Sequence, residues 1–467
     1  MTLRLSDVLK GVGRHAVVHR PATDIAFREI VHDSRLVEPG DLFVALRGER
    51  DGHAFVADAR QRGAAGALVE RAVDITSAAE ANGQGMVYVA VADTQRALQR
   101  LAHYWRKRHD VGVVGVTGSV GKTTTKEVIA SVLSQVSLVL RNERNYNTEI
   151  GLPLSLLRLT AEHRWAVMEM GMYARGEIAA LAKMAAPQIG VVTNVGPMHL
   201  ERLGTIENIA RAKGELVRAL PADGWAVLNG DDPLVRKMRS RARAVYYGLG
   251  SSNDYQATDM HVDGFDGVRF TLRFEGQSIP LATPLLGKHN VYACLAAAAV
   301  GHIAGLSWEC IKTGLCSAPA TVRAVLVPGV GGSTIIDDTY NASPASVKAA
   351  LDLLASLPGR KLAVLGDMLE LGSYEEAGHR ETGRRAAEVL DGLVVVGRRS
   401  RWTGEEARAQ GLEDVTFCTT NDEVAPEVRA GDTVLVKGSR GARMEEVVAR
   451  LRAERPPVRG GSVGRSE

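Results

Sequence analysis

The chain is expected to be an α/β protein of several domains built on parallel sheets, and three observations carry that expectation. Apolar runs of strand length alternate with amphipathic helical stretches through most of the sequence, the pattern of parallel strands joined by crossover helices. A glycine-rich segment, TGSVGKTTT at 117–125, stands between an apolar run (111–116) and a helix-like stretch (126–133), so it occupies a strand-to-helix turn. Beyond residue 318 the alternation starts afresh, which predicts a second, doubly wound sheet. A length of 467 residues suits about three domains.

In chain order, residues 1–107 read as a small α/β domain. GDLFVALRG and GMVYVAVA are its strands, and HAFVADARQRGA and TQRALQRLAHYWRKR its helices. The central domain, 108–317, follows with apolar strand-like runs at 166–170, 189–194 and 226–229. Residues 254–286 differ: short alternating segments split by Gly and Asp predict added antiparallel strands, before an alanine-rich helix at 291–303. The third domain, 318–453, has strands at 334–337, 361–365, 393–396 and 433–436. Residues 454–467, rich in Pro, Gly, Arg and Ser, are expected to be disordered.

Composition removes several function classes. Apolar content of 45% and charged content of 24% are ordinary for a soluble globular protein. A net charge of +3 argues for neither nucleic acid nor an anionic membrane as partner, and the basic stretches 106–109 and 398–401 read as solvated helix ends or loops. Cys294, Cys310, Cys316 and Cys418 form no C-x-x-C pair, so buried free thiols in a reducing compartment are expected. There is no apolar run of membrane-span length and no signal-peptide core, which places the protein in the cytoplasm. Without a coiled coil or an apolar stripe, a monomer is the expected state.

The phosphate-binding chemistry is legible residue by residue. Gly118 and Gly121 leave room for backbone amides to approach phosphate oxygens, Lys122 neutralises phosphate charge, and the Thr123 hydroxyl reaches a magnesium ion. The strict G-x-x-x-x-G-K-[ST] pattern is not met, because position 116 is Val116 and Gly115 comes one residue early. A shorter G-x-x-G-K-T loop fits. Metal ligands for such a site come from neighbouring strand ends, where Glu169 (in WAVMEMG) and His199 (in PMHLE) stand. A carboxylate inside an apolar strand is costly unless paired or metal-bound. Lys213, in IARAKGELV, reads from spacing as a surface lysine paired with Glu215 or Glu207.

GSVGKTT, MEMG, TNVGPMHLERLGTIENIARAKGE, GKHNVYACLAAAA, IDDTYNASP, LGDMLELG and VLVKGSRGARMEEVV, in this order, resemble the Mur ligase family. HDSRLVEPGDLFVALRGERDGHAF resembles that family's uridine-binding domain. The resemblance implies three domains: a small N-terminal α/β domain, a central P-loop domain with a parallel sheet, and a C-terminal Rossmann-like domain. LGDMLELG followed by His379, with KGSRG, implies the member that joins D-alanyl-D-alanine to UDP-N-acetylmuramoyl-tripeptide with ATP and magnesium. The D-N-P-R motif of the relative that adds the third amino acid is absent. Folate polyglutamate ligases would lack the uridine-domain segment, and a non-catalytic nucleotide switch would not need the full constellation.

By the same resemblance, Ser119, Val120 and Thr124 join the phosphate loop, and Glu169, His199 and Thr123 hold magnesium. Lys213 matches a lysine that is carbamylated in several family members. Asn290 matches an adenine contact, Arg323 a γ-phosphate contact, and Asp338 and Tyr340 a loop that reaches ATP. Asp33, Ser34 and Arg35 match a uridine diphosphate segment, while Asn145, Asn147 and Thr148 match a peptide-lining segment. Lys437, Ser439 and Arg440 suit an anionic ligand beside two glycines. Read from the residues alone, Asn290 is equally a helix N-cap, and Asp338 and Asn341 are equally strand-end and turn residues. Cys294 and Ser343 depart from the family pattern, both standing where asparagine is commoner.

Overall fold

Three sheets follow one another along the chain. The computed structural model describes residues 2–13, 16–19, 24–70, 85–143, 146–198, 200–319 and 324–453. The expected disordered tail, 454–467, lies outside the described residues, as do Asn145, His199 and Arg323.

The first sheet contains β1 (Val17–His19), β2 (Ile30–Val31), β3 (Leu42–Val44), β4 (Gly66–Val69) and β5 (Val87–Ala90), in the order β1-β5-β4-β3-β2. All its pairings are parallel except the β1–β5 edge. β3 and β4 are buried along their whole length, as continuous apolar runs in a parallel sheet should be. Helix Thr94–Lys107, capped by the Asp93 carboxylate accepting from Arg96 N, closes this unit and packs on helices Gly151–Leu156 and Glu177–Ala185 of the next. Trp105 is buried there with its Nε1 donating to Leu159 O at 3.0 Å. One apolar core therefore runs from Val8 and Leu42 through Trp105 to Met168 and Leu216. Arg106 and His109, expected in a solvated stretch, are buried at this seam, with the Arg106 Nε donating to Ala185 O.

The central sheet has nine strands: β6 (Gly112–Thr117), β7 (Leu138–Arg141), β8 (His163–Glu169), β9 (Ile189–Val192), β10 (Trp225–Asn229), β11 (Arg243–Gly248), β12 (Tyr255–Val262), β13 (Val268–Phe274) and β14 (Gln277–Thr283). Their order is β14-β13-β12-β11-β10-β9-β6-β8-β7, and only the β12–β13–β14 end is antiparallel. The alanine-rich helix Val291–Ile303 packs on the phosphate helix Lys122–Leu133. Register places Val116 beside Glu169 and Thr117 beside Val192, so β6, β8 and β9 end together. Ligands bind at such carboxyl ends.

The third sheet comprises β15 (Val325–Pro328), β16 (Thr334–Asp338), β17 (Lys361–Gly366), β18 (Gly392–Val396), β19 (Val415–Cys418) and β20 (Thr433–Lys437), ordered β15-β16-β20-β17-β18-β19. Only edge strand β15 is antiparallel. Of the cysteines, Cys294 and Cys418 are buried as expected. Cys310 is half-buried and Cys316, at the end of helix Trp308–Cys316, is exposed, because amphipathic helices leave one face to water. Among the described residues no helix is long and apolar enough to cross a membrane.

Candidate active site

The phosphate loop is built by close approach. At Gly118 a Cβ would stand 1.8 Å from Thr193 Oγ1, so no side chain fits. Gly121 caps helix Lys122–Leu133 in the left-handed region (φ 84°) without offering a side-chain acceptor. A helix N-terminus at the end of such a loop is a position that suits an anion. The segment after β9 backs the loop: Ser119 N donates to Asn194 O (2.9 Å), Val120 N to Asn194 Oδ1 (2.9 Å) and Thr193 Oγ1 to Val120 O (2.6 Å). Lys122 Nζ donates to the loop carbonyls of Gly118 (2.9 Å) and Ser119 (3.2 Å).

Glu169, only 3% exposed, stands at the mouth of this loop. Its Oε2 accepts from Thr123 Oγ1 at 2.9 Å and its Oε1 from Asn147 Nδ2 at 2.8 Å. Magnesium holds ligands at about 2.0–2.1 Å in an octahedron, which sets neighbouring oxygens about 2.9 Å apart. A hydroxyl and a carboxylate oxygen at that spacing beside a phosphate loop fit this ion, which takes one or two carboxylates plus substrate phosphates.

Lys213 corrects the surface reading. Helix Ile206–Ala219, capped by Thr205, turns it inward to 3% exposure, and desolvation together with repulsion from Lys122 holds its ammonium well below the usual lysine range. Glu215 points elsewhere, accepting from Gly176 N (2.8 Å) and Ala179 N (3.1 Å) at the start of helix Glu177–Ala185. Among the described residues no carboxylate pairs with Lys213.

These groups line one cleft of about 860 Å³. Its floor is the loop 118–123 with Glu169 and Lys213, and one wall carries Asn147, Thr148, Glu149, Tyr173, Glu177 and, from the first domain, Gln95. The opposite wall is the third domain: Tyr340 to Ser343, Leu369 to Leu371 and Ser439 to Gly441. Ser439 binds that wall together, its Oγ accepting from Leu369 N (2.9 Å) and donating to Ala342 O (3.3 Å). His379, fully buried behind it, accepts from Met368 N at Nε2 (3.1 Å) and donates from Nδ1 to Glu375 O (2.7 Å). Ser343 caps helix Pro344–Ser356 by a reciprocal exchange with Ser346.

Several expected residues lie off the cleft. Lys437 is 1% exposed behind the wall, donating to Asp338 Oδ2 (2.6 Å) and Asn341 O (2.8 Å), so it touches protein rather than substrate. Asp338 shares that position, with its Oδ1 buried and unpartnered. Asn290 donates to Leu286 O (2.7 Å) and does not cap helix Val291–Ile303 with its side chain. Cys294 is fully buried in the core of that helix, its thiol pushed up to about 12 by desolvation, and has no surface to offer a base. Thr124 is buried in the helix, and Asp33, Ser34 and Arg35 form a turn in the first domain where Asp33 and Arg35 pair at 2.7 Å. The residue reading missed Glu149, Tyr173 and Glu177, which carry no spacing signal, and Asn142, a lone buried amide in a charged loop.

Three family models match the chain: "Mur ligase family, catalytic domain" over residues 26–106, "Mur ligase middle domain" over 116–301 and "Mur ligase, glutamate ligase domain" over 322–440. A UDP-N-acetylmuramoyl-tripeptide--D-alanyl-D-alanine ligase of Synechocystis sp. is 40% identical over 444 residues, 93% of this chain and 94% of that protein. A crystal structure of MurF from Acinetobacter baumannii superposes with a TM-score of 0.85 at 33% identity, covering 96% of this chain and 99% of that one. MurF ligase from Thermotoga maritima in complex with ADP gives a TM-score of 0.76 at 30% identity, covering 90% and 96%. Three family models that together match most of the chain, and relatives matched almost end to end at up to 40% identity, agree: this chain belongs to the Mur ligase family.

Proposed function

We propose that the chain is an ATP-dependent ligase that joins D-alanyl-D-alanine to UDP-N-acetylmuramoyl-tripeptide, in the cytoplasm and as a monomer. The observation that carries the reading is the cleft itself. A phosphate loop with Thr123 and Glu169 at its mouth faces, across about 860 Å³, loops of the third domain and a wall completed by the first. The relatives reported above bear the name of this reaction.

The tripeptide carboxylate attacks the γ-phosphorus of ATP, forming an acyl phosphate and releasing ADP. The amine of D-alanyl-D-alanine then attacks the acyl carbon, and the tetrahedral intermediate expels phosphate. No nucleophilic side chain is needed. Lys122 and the first-turn amides neutralise the phosphates, Thr123 and Glu169 with His199 would hold magnesium, and the walls align amine with carbonyl. Magnesium, when bound, would screen the charge that builds on the transferring phosphoryl group. Asn147 and Thr148 would line the peptide, Ser439 and Arg440 the anionic end of the second substrate, and Tyr340 the nucleotide. Asp33, Ser34 and Arg35 would face the uridine diphosphate, and Arg323 the ATP.

For Lys213 the proposal is carbamylation. Burial favours the neutral amine, whose nitrogen lone pair bonds to the carbon of carbon dioxide while a proton leaves to solvent. The product is an anion where an ammonium would repel both Lys122 and a metal.

Phosphate release with ATP, magnesium and the UDP-muramoyl tripeptide should require D-alanyl-D-alanine and yield the pentapeptide mass. Release instead with the dipeptide intermediate and a diamino acid, or none with either, would overturn the assignment.

A further inference from the structure

Behind the Glu169 carboxylate sits a buried amide that does not line the cleft. Asn142, 1% exposed, immediately follows β7. Its Oδ1 accepts from Glu169 N (2.9 Å), and its Nδ2 donates to Glu169 O (3.0 Å) and Tyr146 O (2.8 Å). The last β7 pairing is Arg141 with Val167. One step on, where the β7 main chain leaves the sheet, the Asn142 side chain takes its place by both accepting from and donating to one residue of β8. Both peptide planes flanking the Glu169 Cα are thereby pinned, and with them the direction in which its carboxylate leaves the backbone.

The main chain of Asn142 is held as well. Its carbonyl accepts from Lys126 Nζ (2.5 Å), a residue of the phosphate helix that is 1% exposed and paired with Glu127 at 2.9 Å. Asn142 is therefore bonded to the end of β8, to the start of the segment 146–150 and to the phosphate helix. The same three segments supply the side chains that meet on the carboxylate: Glu169 itself, Asn147 and Thr123.

We propose that Asn142 is a positioning residue that sets the Glu169 carboxylate against Thr123 and Asn147 and so fixes the affinity of the cleft for a divalent cation. The inference rests on the reading of Glu169 as a magnesium ligand. Partners that orient a metal ligand from behind typically govern about 10–100-fold in metal affinity. Asn142 differs from a packing residue in that it bonds the backbone of the ligand rather than filling space.

The test uses Mn2+ as the probe, titrated into the full chain with ADP present and read by the paramagnetic resonance of free Mn2+. Wild type is compared with Asn142→Ala, Asn142→Asp and Glu169→Gln, and ADP affinity without metal and thermal unfolding are measured on each. Asn142→Asp keeps the shape and the acceptor but loses the two donated bonds, so it carries the test if the alanine variant does not fold. The expected result is Mn2+ affinity lowered about 10–100-fold in the Asn142 variants, with metal-free ADP affinity within about twofold of wild type. A folded Asn142 variant that keeps wild-type Mn2+ affinity while Glu169→Gln loses it overturns the positioning role alone. Unchanged Mn2+ affinity in Glu169→Gln removes the ligand reading, and this inference falls with it.

Discussion

Two lysines sit inside this molecule at opposite sides of the cleft, and the same side chain serves two different ends. Lys437 is 1% exposed and Lys213 is 3% exposed. Lys437 at the end of β20 lies in register with Asp338 at the end of β16, and its ammonium meets that carboxylate at 2.6 Å. Lys213 on helix Ile206–Ala219 meets no carboxylate among the described residues and instead feels the charge of Lys122. A paired buried ammonium stays charged and ties loops together. An unpaired one holds its proton less tightly and more readily presents a lone pair. Partnership, rather than burial, separates a structural lysine from a reactive one.

The sharpest way to break that comparison is at Lys213. Lys213→Ala should lower turnover by about 10²–10³-fold, the scale for removing one preorganised electrostatic group, and acetate or propionate in the buffer should restore part of it. Stability should move the other way. The folded state holds this amine well below its unfolded value of 10.5. Burying this amine therefore costs stability at neutral pH, and that penalty fades only as pH rises toward the unfolded value. Lys213→Met, which keeps the stem and drops the amine, should raise the thermal midpoint in bicarbonate-free buffer without nucleotide. Full turnover without rescue, or a lowered midpoint in the Met variant, would mean that Lys213 resembles Lys437 after all.

Lys437→Met should do the reverse. It strands the Asp338 carboxylate, whose Oδ1 already lacks a partner, and costs about 3 kcal/mol, read as an earlier denaturation midpoint. Adding Asp338→Asn should recover most of the loss, because the second change removes the charge left behind. Additive losses in the double variant would show that the pair is not coupled.

The contrast also marks how far the sequence could be read. Each lysine stands in a recognisable segment, but neither segment says which way the side chain turns. Lys213 sits in an amphipathic helix with Glu215 two residues away, which favours a surface pair on spacing alone; tertiary packing sends Glu215 to cap helix Glu177–Ala185 instead. Lys437 beside two glycines looked like a ligand for an anion, and the parallel register with β16 supplied the anion internally. The phosphate loop was legible because its function needs glycines and a lysine at fixed spacing in one continuous stretch. Strands with long apolar runs, such as β6 and β9, were legible for the same local reason. β4, in small residues that continue a helical stretch, and β7 and β11, each bearing charged residues, were not. Their strand character comes from neighbours in the sheet.

His379 extends the comparison to a group that titrates near neutral pH. It is buried like the lysines, and desolvation lowers its affinity for a proton; the Glu375 carbonyl, Asp367 and Glu375 oppose that shift, and Arg399 adds to it. Its hydrogen bonds fix the neutral tautomer, since Nε2 must accept from Met368 N while Nδ1 donates to Glu375 O. Protonation would turn that acceptor into a second donor facing an N–H. The folded group therefore binds its proton at lower pH than the unfolded chain, whose histidines titrate near 6.5. The contribution is fully present above that value and is lost as pH falls from it toward the lower folded value. His32, His109 and His163 are shifted the same way by burial, so wild-type stability should decline below about pH 6.5. Subtracting the profile of His379→Gln isolates one group: the variant should be less stable at pH 8, and its stability should fall less steeply between about pH 6.5 and 5. Parallel profiles would mean that His379 stays uncharged in neither state more than the other, and that a buried base without a carboxylate partner need not lose its proton.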